Sequence, residues 1–449
     1  MRKPSAHGGE ASGEAPGIGV ISGGGGRVDV VLRKLEIAHT LPQLTGWSDR
    51  PPAEGDPFQQ VDLVVAAPGM PVKPGPLFDR LRFGGQFVCV GTRESDLATL
   101  AKAFASTHAT GFALEQAPVS LPLGGAPKWK FWRRDKAWYF TARKTHIVRP
   151  NEYSNRFTYD VSLHPKADEP DGYVVRKVIP SHERVLRNLQ HKFPQVPLAE
   201  LERRTSKLCD EVFPVFLTRE ARFLGMLQEK LSPEYRKRVP RLVDLKKGDR
   251  QLVTQLDMAW LRMGNEVISQ IEFARQTADL LRAVHEQTQL MHLDLRLDNV
   301  LVTRDGVALV DFGSAAREGE DLGRNPLLRS LFDEIMQTSQ IQRVLSHMAE
   351  TGHVTSQTLL AIRGQADKKL DTFYLAVQMA KPTSSPDVAQ LVDYDPGSMQ
   401  SRLISELTAR VLRPAAGDSV ESASDLLKEL QAIERRLHRL SSREPAMAV

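Results

Sequence analysis

The chain has 449 residues, enough for two or three domains, and its 41% hydrophobic and 6% aromatic content is that of an ordinary globular protein. A formal net charge of +5 is too mild at this length to call for nucleic acid, and residues 128–136 form the one marked basic run. The two cysteines, Cys89 and Cys209, lie far apart in apolar sequence, excluding a disulfide framework. No apolar run approaches the roughly 18 residues of a membrane span, and the Gly-rich start lacks a signal-peptide core, so a cytoplasmic protein with no membrane and no nucleic-acid partner is predicted.

Residues 1–16 are small, polar and Gly-rich, the composition of a disordered tail. A short strand at 18–21 is followed by Ser22, the run Gly23 to Gly26, and an apolar stretch at 28–32. Residues 61–67 read as a buried strand, 76–82 as a helix, Gly84-Gly85 as a turn, 86–91 as another buried strand and 95–108 as a helix. Residues 131–148 are strand-rich and aromatic. Strands alternating with helices predict an open α/β sheet. The glycine run reads either as a loop offering backbone amides to an anion or as a flexible linker. Trp129, Phe131 and Trp132 among basic residues fit an aromatic-basic nucleic-acid patch, but a plain alternating strand gives the same pattern and is the preferred reading.

Two further strands follow, at 155–163 and 173–179, separated by a polar turn at 165–172. Residues 183–208 are charged and predict a helical insertion. Phe216, Phe223, Leu224, Leu227 and Leu231 form a helical stripe through 213–231. A hairpin is predicted from 242–245 and 252–256, then an amphipathic helix over 266–286. Next comes MHLDLRLDNVLVTRDGVALVDFGSA, residues 291–315, which sets His292, Asp294, Asn299 and Asp311 into or beside apolar runs. Asp305-Gly306 is a strong hairpin signal that folds Asn299 back toward Asp311. Two carboxylates and an amide in that pattern suit a metal-phosphate site, because phosphoryl transfer needs positioning and charge neutralisation more than covalent help.

The pattern His292-Leu293-Asp294-Leu295-Arg296-Leu297-Asp298-Asn299 followed by Asp311-Phe312-Gly313 resembles the catalytic and metal-binding loops of the protein kinase superfamily. The resemblance runs over residues 149–437 and is strongest over 280–313. It implies a bilobal α+β kinase-like fold using ATP and Mg2+. Asp294 is then the catalytic base, Asn299 and Asp311 the metal ligands, and Arg296 stands for the lysine that touches the transferred phosphate. Lys177 takes the place of the strand lysine on the phosphates, with Arg176 on the opposite face as its rival. Glu220 takes the place of the glutamate that pairs that lysine, though other glutamates compete for the role. Gln255 and Asp257 fall where the connection between lobes meets adenine, and Asp371 leads the helix that braces the catalytic loop. The resemblance favours a protein Ser/Thr hydroxyl as acceptor over a small-molecule hydroxyl; the rival reading is a pseudokinase scaffold.

Three departures stand out. Leu293 replaces an arginine that many kinases use to read a phosphorylated activation loop, Gly172 is the one glycine between Arg156 and Ile179, and no A-P-E motif follows Gly313. The strand, helix, Gly-Gly, strand order of the N-terminal part resembles the second half of class I methyltransferases, which implies a degenerate Rossmann-like domain used for docking or regulation. The expected organisation is therefore a tail (1–16), a Rossmann-like α/β domain (17–148), a kinase-like N-lobe (149–258) and a C-lobe (259–449).

Overall fold

The computed structural model describes residues 18–21, 61–66, 74–105, 110–122, 136–147, 159–248, 250–264, 266–320, 368–380, 382, 388, 391–412 and 420–441. The predicted tail, the Gly23–Gly26 run, the apolar stretch at 28–32 and the 128–134 patch lie outside these residues. Two compact units emerge, one drawn from Met1–Ser106 and Phe112–Lys144, the other from Thr107–Gly111 and Thr145–Val449.

In the first unit, β1 (Ile18–Ile21), β2 (Val61–Ala66), α1 (Pro74–Arg80), β3 (Leu81–Gly91), α2 (Glu94–Ala105), β4 (Phe112–Pro122) and β5 (Lys136–Lys144) follow one another. The five strands form one sheet in the order β1-β2-β3-β5-β4. β1, β2 and β3 are parallel; β5 runs antiparallel between β3 and β4. Leu97, Ala101 and Phe104 face inward from α2 at helical spacing and meet Phe87, Phe112 and Phe140 in the core. Gly84-Gly85 does not form the expected turn but lies within β3. The partner register jumps from Val61↔Leu81 to Leu63↔Gln86, so this stretch bulges out of the ladder. Gly84 adopts φ 80, which glycine permits, and Arg143 Nη1 donates to its carbonyl at 2.7 Å.

The second unit opens with β6 (Asp160–Pro165) and β7 (Tyr173–Val178), then α3 (His182–Lys192) and α4 (Leu198–Lys207). The predicted insertion is therefore a pair of helices, and Ser181 caps the first by accepting from the Arg184 amide. A π-helical turn, Leu208–Val212, leads into α5 (Phe213–Lys230), followed by α6 (Pro233–Arg236), β8 (Leu242–Lys247) and β9 (Val253–Ala259). The sheet order is β6-β7-β9-β8. Beyond β6, His146 bridges to Ser162 and the Leu163 amide donates to the Thr145 carbonyl at 2.8 Å. The turn at 166–172, closed by Lys166, Glu169 and Gly172 backbone bonds, thus has chain on the sheet upstream of it.

The larger half contains β10 (Ile268–Ser269), α7 (Gln270–Thr288), β11 (Leu290–Met291), a 3-10 turn at Leu297–Asn299, β12 (Val300–Thr303), β13 (Gly306–Leu309), a 3-10 turn at Phe312–Ser314 and β14 (Ala316–Arg317). It continues with α8 (Lys368–Ala380), β15 (Val392–Asp393), α9 (Met399–Leu412) and α10 (Ala423–Ser441). Ser269 caps α7, and Gln289 ends it with φ 58. The β12–β13 hairpin turns at Asp305-Gly306 as expected, with Thr303 opposite Gly306. One buried apolar cluster runs from α5 and β9 through α7 and the hairpin to α8, α9 and α10.

Candidate active site

Successive residues of a strand point to opposite faces, so β7 sends Arg176 and Lys177 apart. Lys177 is buried, and its Nζ donates to Glu220 Oε2 at 2.6 Å and to Asp311 Oδ1 at 2.8 Å. Glu220 is fully buried in the middle of α5, on the face that also carries Leu217 and Leu224. Asp311 stands at φ 61 and ψ 68 at the entry to the turn Phe312–Ser314, a left-handed conformation that aspartate tolerates better than most residues. A Cβ added at Gly313 would stand 3.3 Å from Asp311 Oδ1, 3.7 Å from Glu220 Oε2 and 3.9 Å from Lys177 Nζ, so the glycine keeps the space beside the three charges open.

Arg176 goes the other way. Its Nε and Nη2 clasp both Asp257 oxygens at 2.8 and 2.7 Å, and Gln255 Nε2 donates to Asp257 Oδ1 at 3.0 Å. This corrects the expectation for Gln255 and Asp257. They lie inside β9, opposite Val178 and Arg176, and not in a connection between lobes. The strand continues to Ala259 because its inward positions Leu256 and Met258 are core residues. The chain leaves the strand after Ala259. Gly264 donates to Val302 O at 2.8 Å, and a Cβ would lie 2.9 Å from the Thr303 carbonyl carbon, so only glycine allows this approach to the hairpin.

Asp294 is held by three neighbours. Asn299 Nδ2 donates to its carbonyl at 2.9 Å and to its Oδ2 at 3.1 Å, and Arg296 Nε stands 3.5 Å from its Oδ1. His292 sets the loop: Nε2 donates to Val310 O at 2.9 Å and Nδ1 accepts from the Asp294 amide at 3.3 Å, while its ring packs on Phe312. That pair of bonds requires the neutral ring, and burial holds the His292 pKa low, with Asp371 opposing. Asp371, fully buried on α8, accepts from the amides of His292 at 2.6 Å and Leu293 at 2.7 Å and from His285 Nε2 at 2.9 Å. The loop between is strained: Leu293 has φ 58, a conformation costing a non-glycine residue about 1–3 kcal/mol.

The electrostatics follow from one cation facing several anions in a desolvated place. Burial lowers the Lys177 pKa, but Asp311 and Glu220 outweigh it and leave it raised. Burial is the largest influence on Asp311 and raises it, but Lys177, joined by His292 and Arg296, outweighs burial and leaves the carboxyl low. Glu220 is pushed up to about 7 by burial, with Lys177 opposing and Asp311 reinforcing. Asp294 is likewise pushed up to about 7 by burial, with Arg296 opposing and Asp311 reinforcing.

Among the described residues, nothing donates to the Asn299 amide oxygen or to Asp311 Oδ2. Hard oxygens from one carboxylate and one amide are a donor set that fits magnesium, which takes few protein ligands and fills the rest with water and phosphate oxygens. Two groups escaped the sequence reading. The Tyr159 ring lies under Lys177 Nζ at 4.6 Å, its hydroxyl tied to Phe213 O. Arg219 bonds Ala315 O at 3.1 Å and Glu320 Oε1 at 2.8 Å, fastening α5 to the chain beyond Gly313. Neither carries a local sequence signal, because both act through partners distant in the chain.

Residues 215–317 match the family described as phosphotransferase enzyme family, APH. The match covers less than a quarter of the chain and includes Glu220, Asp294, Arg296, Asn299 and Asp311, while Lys177 lies outside it. This similarity supports an enzyme of the kinase-like phosphotransferase superfamily, and the mixed α/β architecture of the second unit fits such a fold. No curated protein matches the chain. Among the described residues no helix is long and apolar enough to cross a membrane.

Proposed function

We propose that this chain is an ATP- and Mg2+-dependent phosphotransferase that moves the γ-phosphoryl group to a hydroxyl, with a protein Ser/Thr side chain as the first acceptor to test. The observation that carries the reading is the meeting of Lys177, Glu220 and Asp311, from a strand, a helix and a loop, at 2.6 and 2.8 Å. Lys177 orients the α- and β-phosphates, and Glu220 holds Lys177 in place. Asn299 and Asp311 hold the metal, which when bound neutralises phosphate charge. Asp294 orients the acceptor hydroxyl and takes its proton as the new O–P bond forms and the bond to the leaving diphosphate breaks. Arg296 faces the charge on the group in transit.

The APH similarity keeps a small-molecule hydroxyl as the second reading. Both cysteines are buried and free, which supports a reducing, cytoplasmic setting. The first unit is assigned to docking or regulation in a Rossmann-like frame; tight binding of S-adenosylmethionine in calorimetry would replace that assignment with a methyl-transfer one.

The test is ATP turnover with magnesium, wild type beside Asp311→Asn, first with a protein mixture and then with small-molecule alcohols. Transfer that depends on Asp311 supports the enzyme, and the acceptor that takes label separates the two readings. Nucleotide binding without transfer to any acceptor points to a pseudokinase.

A further inference from the structure

The buried apolar residues around the Asp294 loop divide between two cores. Leu290, Leu295 and Leu297 belong to the main cluster with α7, α8 and the hairpin. Met291 and Leu293 belong to a second cluster whose other members include Val185 and Leu189 of α3, Leu201 of α4, and Leu208 and Val212 of the π-helical turn. Asp294 is thus flanked by Leu293 anchored on one side and Leu295 anchored on the other. Leu293 is buried and sits at φ 58, a backbone state that a side chain with a Cβ resists. Its amide donates to Asp371. The π-helical turn joins the same insertion directly to α5, the helix that carries Glu220. Such turns interrupt a helix at some energetic cost and occur mostly at functional places.

We infer that the α3–α4 insertion is a built-in brace for the active site: its apolar face seats Leu293 and so holds the Asp294 loop in its working conformation without any modification of the chain. The residues of the brace touch no reacting atom; Leu293 is a positioning residue. This inference rests on the phosphotransferase reading for its effect on turnover, but its structural content stands apart from that reading. Side chains that fill the second cluster keep Leu293 in its strained state, and removing them frees the loop while the main core stays packed.

Two full-length variants test it. Leu293→Gly accepts the positive φ and deletes the side chain; Leu189→Ala combined with Leu201→Ala weakens the seat from the insertion side. Backbone amide exchange read by mass spectrometry is expected to rise about tenfold in the peptide covering 290–297, with α7 and α10 unchanged. The ATP turnover number is expected to fall about tenfold or more while the KM for ATP stays within about twofold. Unchanged exchange over 290–297, or a rise shared equally with α7 and α10, overturns the brace. So does a raised KM with unchanged turnover. If the double variant fails to fold, Leu293→Gly carries the test. If the wild type transfers no phosphate at all, the exchange result alone judges the brace, and only the functional reading falls.

Discussion

The two faces of β7 present the same chemistry and reach opposite results. On one face Arg176 meets Asp257 in a two-pronged pair, with Gln255 completing the carboxylate's bonds. Burial pushes Asp257 up, but Arg176, with Gln255 and His164, outweighs it and the carboxyl ends low. On the other face Lys177 is shared between Glu220 and Asp311, and Asp294 adds to the negative charge nearby. Here Glu220 and Asp294 both stand near 7. The first face is a closed pair; the second sets three carboxylates, Glu220, Asp294 and Asp311, against the two cations Lys177 and Arg296, and leaves Asp311 Oδ2 and the Asn299 amide oxygen without a described donor. A structural pair satisfies itself, whereas a site for a metal and phosphates leaves matching groups unspent.

The comparison breaks first at Asp311. Asp311→Asn is expected to lower turnover at least about a thousandfold with the fold intact by circular dichroism, and Asp294→Asn by about a hundred- to ten-thousandfold; near wild-type turnover in either would remove the inner face from the chemistry. Lys177→Met is expected to lower kcat/KM about a hundredfold, while Arg176→Met leaves it within about threefold, and a reversal of that order would make Arg176 the working cation.

A pH profile sharpens the contrast. In the proposed role of base Asp294, surrounded by Arg296, Asp311, Asn299 and Lys177, works only when ionised, so kcat/KM should fall about tenfold per pH unit below about 7 and level off above it. The stability sign is the reverse. With its folded pKa above the unfolded one, the carboxyl's contribution to stability is fully present below the usual carboxylate range and is lost as pH rises through about 7. Melting temperatures of Asp294→Asn and wild type should therefore diverge in the variant's favour between about pH 4 and 7. A constant difference across that range would contradict the raised pKa.

The smallest effect belongs to the outer face. Asp257 is buried, and Arg176→Ala leaves its carboxylate without its cation. A loss of about 1–3 kcal/mol in denaturant unfolding, with turnover little changed, is expected.

Much of the second unit was legible because its signals are local. The Asp305-Gly306 turn and the apolar stripes of α5 and α7 each depend on residues within a few positions of one another. The Asp294–Asn299 contact lies in the same class, being made within one loop. Errors arose where the deciding partner was remote. Gln255 and Asp257 read as a connection because the hairpin pattern does not mark where β9 stops; pairing with β7 carries it to Ala259. Gly84-Gly85 reads as a turn by composition, yet its neighbours β2 and β5 keep it in the sheet as a bulge.

By itself the sequence determined the catalytic-loop pattern, the hairpin behind it and the helix bearing Glu220, since hydrogen-bonding turns and apolar periodicity act over short chain distances. Only the tertiary structure decided that Lys177 and not Arg176 meets Glu220, that Leu293 takes a left-handed conformation, and that the α3–α4 insertion shares a core with the Asp294 loop. A strand offers both of its faces equally until another element packs on one of them, and a strained backbone persists only where distant contacts hold it.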